Sequence, residues 1–135
     1  LGIACPVAAA LVVWEWNHVQ AAAQRHFGSA VTVIEHFGSY NCRRMYGRDA
    51  GSWSEHATAD AVDIAGFRLA NGERVTVVGD WNGSSRARRL FLREVRDGAC
   101  DLFATTLSPD YNAAHHDHLH LDQAQRGVTG WRSCR

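Results

Sequence analysis

The sequence contains no lysine, no excess charge of either sign and no apolar run long enough to cross a bilayer. All 14 basic residues are arginines, and 14 acidic residues bring the formal net charge to zero. A balanced chain of this kind offers no electrostatic attraction to nucleic acid or to an anionic membrane, so we expect neither as a partner. The absence of lysine indicates a composition bias of the source genome rather than a function.

The longest apolar run extends from Pro6 to Trp14 and is followed by Glu15, Asn17 and His18. It is too short to be a transmembrane helix. It also lacks a basic leading segment and a clear cleavage site, so we do not interpret it as a signal peptide.

No two cysteines are close enough in sequence for a CxxC metal or redox pair. The four cysteines are Cys5, Cys42, Cys100 and Cys134. Their even number and wide spacing predict two disulfides and an oxidising compartment, although three pairings are possible. Four free thiols in a cytosolic protein are the alternative.

The 135 residues, 46% apolar and 21% charged, predict one globular domain over residues 1–135. The pattern predicts helices over 6–27 and 84–100, strands over 31–37, 102–109 and 118–122, a loop over 38–54, and a hairpin over 61–81. We expect a type I′ turn at Asn71-Gly72, a cap at Ser84 or Ser85, and a helix end at Gly98. This order indicates an α+β fold, a small antiparallel sheet with helices packed on one side.

Two polar stretches combine into a candidate metal site. HHDHLHLD (115–122) crowds four histidines together, and SEHATADAVDI (54–64) contains His56 and Asp63. Two neutral imidazoles and a carboxylate are typical zinc ligands, and a catalytic site leaves the fourth position to water. Solvent-exposed histidines are the alternative reading of the first stretch.

Alternation along the predicted strands selects among these residues. Asp63 lies opposite Val62 and Ile64, which we expect in the core. In the second stretch one face carries His116, His118, His120 and Asp122, and the other carries Leu119 and Leu121. Both polar faces can point into one cleft if the two strands are neighbours.

These two stretches, together with SYNCR (39–43), AGFRLANG (65–72), FLREVRDGAC (91–100) and the terminal CR (134–135), resemble the bacterial extensin-like protein family in its C-terminal domain. That family is similar to the D-Ala-D-Ala carboxypeptidase-type zinc peptidases and, more broadly, to the LAS metallopeptidases. The resemblance covers nearly the whole chain and implies the LAS/hedgehog-type peptidase fold. One departure is Ala59, where the wider superfamily often has glycine.

The resemblance implies one Zn²⁺ per chain, bound by His56, Asp63 and His120. It implies that His118 lies close to the metal and assists the reaction, and that Asp117 is the general base. Asp117 would then have to lie before the regular strand begins, because it would otherwise point away from His120.

The resemblance also implies an arginine upstream of the first ligand that binds substrate or the oxyanion. We assign Arg43 to this role, with Arg44 and Arg48 as alternatives. Ser54 is expected to orient the His56 loop, and Tyr40 to pack. For Trp53 and Trp81, packing competes with a place in a substrate groove.

The function expected from the resemblance is a zinc-dependent peptidase, periplasmic or secreted, that cleaves the peptide stems of peptidoglycan. Carboxypeptidase and endopeptidase activity both stay open, and we expect a monomer. A catalytically silent, zinc-containing cell-wall-binding module is the main alternative. A disulfide-stapled wall-binding domain without metal is the third.

Overall fold

The computed structural model describes residues 2–135 and has an α+β fold, as the sequence predicts. The α-helices are α1 (Cys5–Trp14), α2 (Gln20–Phe27), α3 (Val77–Asp80) and α4 (Arg86–Cys100), and a π-helical turn (Glu15–Val19) joins α1 to α2. The strands are β1 (Val31–Gly38), β2 (Ala61–Leu69), β3 (Arg74–Thr76), β4 (Thr105–Leu107), β5 (Leu119–Asp122) and β6 (Ser133–Cys134). Short 3₁₀ helices span Met45–Gly47, Glu55–Thr58 and Ala113–His115.

The π-helical turn marks the place where the first helix meets α4. A Cβ atom on Gly98 would lie 2.4 Å from the ring of His18, so only glycine allows this close approach. Gly98 therefore serves helix packing and does not end α4, which continues to Cys100. The predicted helix end at Gly98 is wrong, whereas the predicted Ser85 cap is confirmed, since its hydroxyl accepts a hydrogen bond from the Arg88 amide at 3.3 Å.

The six strands form one sheet in the order β1-β2-β5-β4-β6, and β3 also pairs with β2. Every pair is antiparallel except β4 and β6, which are parallel. The predicted antiparallel sheet is thus confirmed apart from this short edge strand.

The predicted hairpin over 61–81 is present, but its turn is not type I′. Gly72 has a φ of +90°, whereas Asn71 has no positive φ. The Asn71 side-chain oxygen instead accepts a hydrogen bond from the Glu73 backbone amide at 2.9 Å. The backbone amide of Asn71 donates to the Ser29 hydroxyl at 3.1 Å. The second strand is also shorter than predicted, because α3 begins at Val77.

The helices cover one face of the sheet, and the candidate ligands lie on the other. Val62 and Leu121 are buried in one apolar cluster with Trp14 of α1 and Phe91 of α4. Asp63 follows Val62 in β2, so it points to the opposite face. The predicted division between core and site faces is therefore confirmed for both strands.

One of the two expected disulfides is present, between Cys100 at the end of α4 and Cys134 in β6. Cys5 and Cys42 are free thiols and are exposed. Within residues 2–135, none of the helices has both the length and the apolar character needed to cross a membrane.

Candidate metal centre and cleft

His56 is held in a fixed orientation by the short helix Glu55–Thr58. The Ser54 hydroxyl caps this helix by accepting a hydrogen bond from the His56 amide at 3.3 Å, so the predicted orienting role of Ser54 is confirmed. The His56 ring is buried, and its Nδ1 lies 2.6 Å from the Ser39 carbonyl oxygen. A carbonyl can only accept, so Nδ1 carries the proton and donates, and the lone pair of Nε2 faces the site.

Asp63 and His120 meet because β2 and β5 are neighbours. Their Cα atoms are direct partners in the antiparallel register, which places both side chains on the same face. His120 Nδ1 lies 3.1 Å from Asp63 Oδ1. The sequence alone could not determine this register. The condition that we set for a shared cleft, that the two strands be neighbours, is met.

Asp122 orients His120 and was given no role in the sequence analysis. Its Oδ2 accepts a hydrogen bond from His120 Nε2 at 2.8 Å, and its Oδ1 accepts one from the Ala124 amide at 2.9 Å. The bond to Nε2 leaves the Nδ1 lone pair of His120 facing Asp63 and His56. A carboxylate behind a ligating histidine is the usual support of a zinc site. The spacing His120-x-Asp122 on one strand face was the available signal.

Three lone-pair atoms converge at this point: His56 Nε2, Asp63 Oδ1 and His120 Nδ1. The two nitrogens are 3.3 Å apart, and His56 Nε2 lies 3.2 Å from Asp63 Oδ1. Tetrahedral ligands at zinc bond lengths are about 3.3 Å from one another. The triangle therefore has the size and the donor chemistry of a three-residue zinc site.

The electrostatics of the group favour a bound cation. Burial alone would raise the pKa of Asp63, but hydrogen bonds that His120 and His56 donate when their site-facing nitrogens carry protons in place of a metal outweigh burial and hold that pKa well below its usual range. Burial alone would lower the pKa of His120, but hydrogen bonds to Asp122 and Asp63 outweigh it and raise that pKa to about 9. The carboxylates of Asp63 and Asp122 thus favour a positive charge at the imidazole nitrogens that face them.

The remaining histidines of the second stretch occupy three different environments. His118 Nε2 lies 3.6 Å from Asp63 Oδ1, next to the triangle but outside it. His115 is buried beside His118. This burial is the main cause that lowers the pKa of His115 to about 4, and the positive charges of His118 and His120 lower it further. His116 is exposed, and its Nε2 lies 3.9 Å from Asp117 Oδ2.

Asp117 lies in the turn that precedes β5, as the resemblance requires. Its Oδ1 is 2.8 Å from His118 Nδ1. Among the described residues that line the adjoining cleft, His118 is present and Asp117 is not. In this structure Asp117 is therefore linked to the site by its hydrogen bond with His118.

A cleft of about 720 Å³ opens beside the triangle. Arg43 lines it, whereas Arg44 stacks on Trp53 at 4.3 Å and Arg48 on Tyr46 at 5.5 Å. One wall of the cleft, the strand wall, includes His56, Asp63, His120 and Asp122. Another, the loop wall, includes Arg43, Met45, Tyr46 and Trp53.

The aromatic residues separate into packed and exposed groups. Trp81 is buried and donates its indole N–H to Asp110 at 2.9 Å, so it packs and lines no groove. Trp53 is 55% exposed and lines the cleft. Tyr40 is exposed, so the prediction that it packs is wrong.

Arg126 also lines the cleft and was not found from the sequence. Its guanidinium donates to the Ala104 carbonyl at 2.8 Å and to the Thr105 hydroxyl, and it stacks on Trp131 at 4.6 Å. No sequence signal marks it, because its position depends on how the chain folds back after β5.

The family model described as "Extensin-like protein C-terminus" matches residues 1–135. No curated protein and no solved structure shows significant similarity to the chain.

Proposed function

We propose a zinc-dependent peptidase activity for this chain, which belongs to the extensin-like protein C-terminus family over residues 1–135. The observation that carries the proposal is the convergence of His56, Asp63 and His120 at the wall of an open cleft. Two histidines and one carboxylate, with a fourth position free, are a donor set of catalytic zinc sites. The same donor set supports the proposed kinship with LAS metallopeptidases and one Zn²⁺ per chain.

When bound, zinc supplies a water of lowered pKa and a Lewis acid for a peptide carbonyl. Asp117 is the proposed general base that takes a proton from the attacking water and returns it to the leaving amine. His118 donates a hydrogen bond from Nδ1 to Asp117, and this leaves its Nε2 near Asp63. Arg43, in the cleft wall, would stabilise the oxyanion or hold a substrate carboxylate.

The proposed substrate is the peptide stem of peptidoglycan. A cleft that has aromatic residues and two arginines on its walls suits a peptide with polar and anionic groups. The Cys100–Cys134 disulfide supports an oxidising location, which we propose is the periplasm or the exterior of the cell. We propose a monomer of 14.9 kDa, to be checked by light scattering.

The second candidate is a zinc-containing cell-wall-binding module without turnover. It is favoured by one observation, that Asp117 contacts His118 and does not line the cleft. The metal-free alternative has less support, because it explains the His120–Asp63 contact as an ion pair but gives no reason for His56 to turn its Nε2 toward the same carboxylate.

Substitution of Asp117 separates the two candidates. For the peptidase, Asp117→Ala should lower the rate of stem-peptide cleavage by at least about 10²-fold, because proton transfer by a positioned base contributes that much. Zinc should stay at about one per chain, because Asp117 is not a ligand. The measurement is the mass of products from purified peptidoglycan fragments, which also distinguishes carboxypeptidase from endopeptidase cleavage.

Asp101→Ala, which removes an exposed carboxylate at the end of α4 and outside the cleft lining, is the matched control and should cleave normally. Wild-type protein that binds zinc and peptidoglycan but cleaves nothing would support the silent module. Full cleavage by Asp117→Ala would show that the base is another group.

A further inference from the structure

Each of the two free cysteines lies close in sequence to a residue that is hydrogen-bonded to the Ala59 carbonyl oxygen. The Ala4 amide donates to the Ala59 carbonyl oxygen at 2.9 Å, and the Ser39 hydroxyl donates to that oxygen at 3.3 Å. Cys5 follows Ala4 directly, and Cys42 lies three residues after Ser39. Both thiols are exposed and are therefore open to reagents in solution.

We propose that Cys5 and Cys42 form a second disulfide, which staples the start of α1 to the loop over residues 38–54. Cys100 and Cys134 are already bonded to each other, so each free cysteine has only the other as an intramolecular partner. An oxidising compartment that maintains one bond would also oxidise two exposed thiols that can reach each other.

The anchoring contacts attach the segments that carry both cysteines to the same turn. The amide of Asn41, one residue before Cys42, donates to the His56 carbonyl at 2.9 Å, and the Ala59 amide donates to the same carbonyl at 3.2 Å. Both cysteines thus lie one residue from atoms fixed on the turn 56–59. A disulfide needs a Cα separation of about 4.4–6.8 Å, so its formation requires the exposed Cys42 to approach Cys5 while the Ser39 and Asn41 contacts to His56 are kept.

The oxidation is a thiol–disulfide exchange with a small or protein disulfide, such as oxidised glutathione. One cysteine thiolate attacks the reagent disulfide and expels one thiol. The other thiolate attacks the resulting mixed disulfide and expels the second thiol. The protein loses two protons and two electrons, and the reagent disulfide is reduced to two thiols.

The staple would brace His56, a consequence that rests on the proposed metal site. Segment 39–42 holds His56 twice, through the Ser39 carbonyl at its Nδ1 and through the Asn41 amide at its carbonyl oxygen. Cys42 also precedes Arg43, which lines the cleft. Closing the bond to Cys5 would therefore restrict the segment that orients one ligand and presents the arginine.

Peptide mapping tests the pairing directly, and the lack of lysine makes the map simple. Trypsin would cut only after arginine, which places the four cysteines on separate peptides: 1–25, 26–43, 97–126 and 133–135. The full chain is reduced, refolded in a glutathione redox buffer, blocked with iodoacetamide and digested without reduction.

We expect peptide 1–25 joined to 26–43, and 97–126 joined to 133–135. Alkylated Cys5 and Cys42 beside an intact Cys100–Cys134 bond would overturn the proposal, and so would any other pairing.

The bracing effect has its own test, the zinc Kd of oxidised protein. Cys5→Ser, Cys42→Ser and the double variant should all bind zinc about tenfold more weakly than wild type. The single variants are matched controls, since each removes the same bond and the losses must not add. An unchanged Kd, or additive losses, would overturn the bracing role. Failure of the wild type to bind zinc would refute the proposed metal site and leave the peptide map as the test of the disulfide.

Discussion

The candidate site has two walls of different construction, one built on paired strands and one on a loop. On the strand wall, Asp63 and His120 are direct partners of adjacent strands, and their side chains are 17% and 13% exposed. On the loop wall, Tyr46 and Trp53 are 53% and 55% exposed. The strand wall fixes atoms to within bonding distance of a common point, whereas the loop wall presents surface to a ligand.

This difference suggests a division of labour between the walls. A metal site requires ligands held to within about half an ångström, which regular strands and buried hydrogen bonds provide. Substrate contacts tolerate more variation and are commonly placed on loops carried by a rigid scaffold. Substitutions in the strand wall should therefore act on the metal, and those in the loop wall should leave the metal in place and act on the substrate or its transition state.

The largest effect is expected from His56→Ala, which removes one of the three proposed ligands. Zinc content should fall from about one per chain to near zero, because two ligands remain where the site requires three. Metal analysis after dialysis measures it. His116→Ala should keep its zinc, and equal zinc in both variants would place the metal elsewhere.

A smaller effect on the metal is expected from Asp122→Asn, which keeps the shape but weakens the support of His120. The zinc Kd should rise about 10- to 100-fold, as for other losses of a carboxylate behind a ligating histidine. Competition with a chelator measures it. The control is Asp60→Asn, which neutralises a nearby, partly buried carboxylate. An equal loss of zinc affinity in this variant would show that the effect comes from the negative charge in general and not from the support of His120.

Trp53→Ala tests the loop wall. The KM for stem peptides should rise several-fold, because one aromatic contact contributes about 1 kcal/mol, while zinc content stays unchanged. Steady-state kinetics measures it. The control is Trp16→Ala, an equally large residue that is 74% exposed on the helical side. Loss of zinc in Trp53→Ala would contradict the separation of the two walls.

The smallest effect is expected from Ala59→Gly, at the end of the helix that carries His56. Ala59 has a φ of +58°, a conformation that costs a residue with a Cβ about 1 kcal/mol. Glycine should therefore raise the free energy of unfolding by about that amount. Thermal melts measure it, with Ala57→Gly as a control that should destabilise. A lower melting temperature for Ala59→Gly would contradict this assignment of strain.

The strand wall was largely predictable, because alternation of side chains fixes which residues share a face. Val62 and Leu121 are apolar and Asp63 and His120 are polar, so the two faces could be told apart before any pairing was known. The register itself was not predictable, since it depends on tertiary contacts between segments that are almost 60 residues apart. The observed register places Asp63 opposite His120.

Other features could not be predicted because tertiary contacts override local signals. Gly98 has the local pattern of a helix end, but the His18 ring packed against it determines its role. Asn71 precedes glycine as in a type I′ turn, but its hydrogen bonds to Ser29 and Glu73 select another geometry. Arg126 carries no motif at all.

The most direct test is a crystal structure of the zinc-loaded protein, with anomalous data on both sides of the zinc absorption edge. We expect one anomalous peak about 2.0–2.2 Å from His56 Nε2, Asp63 Oδ1 and His120 Nδ1. A peak held by other residues, or none at these three atoms, would contradict the proposed metal centre.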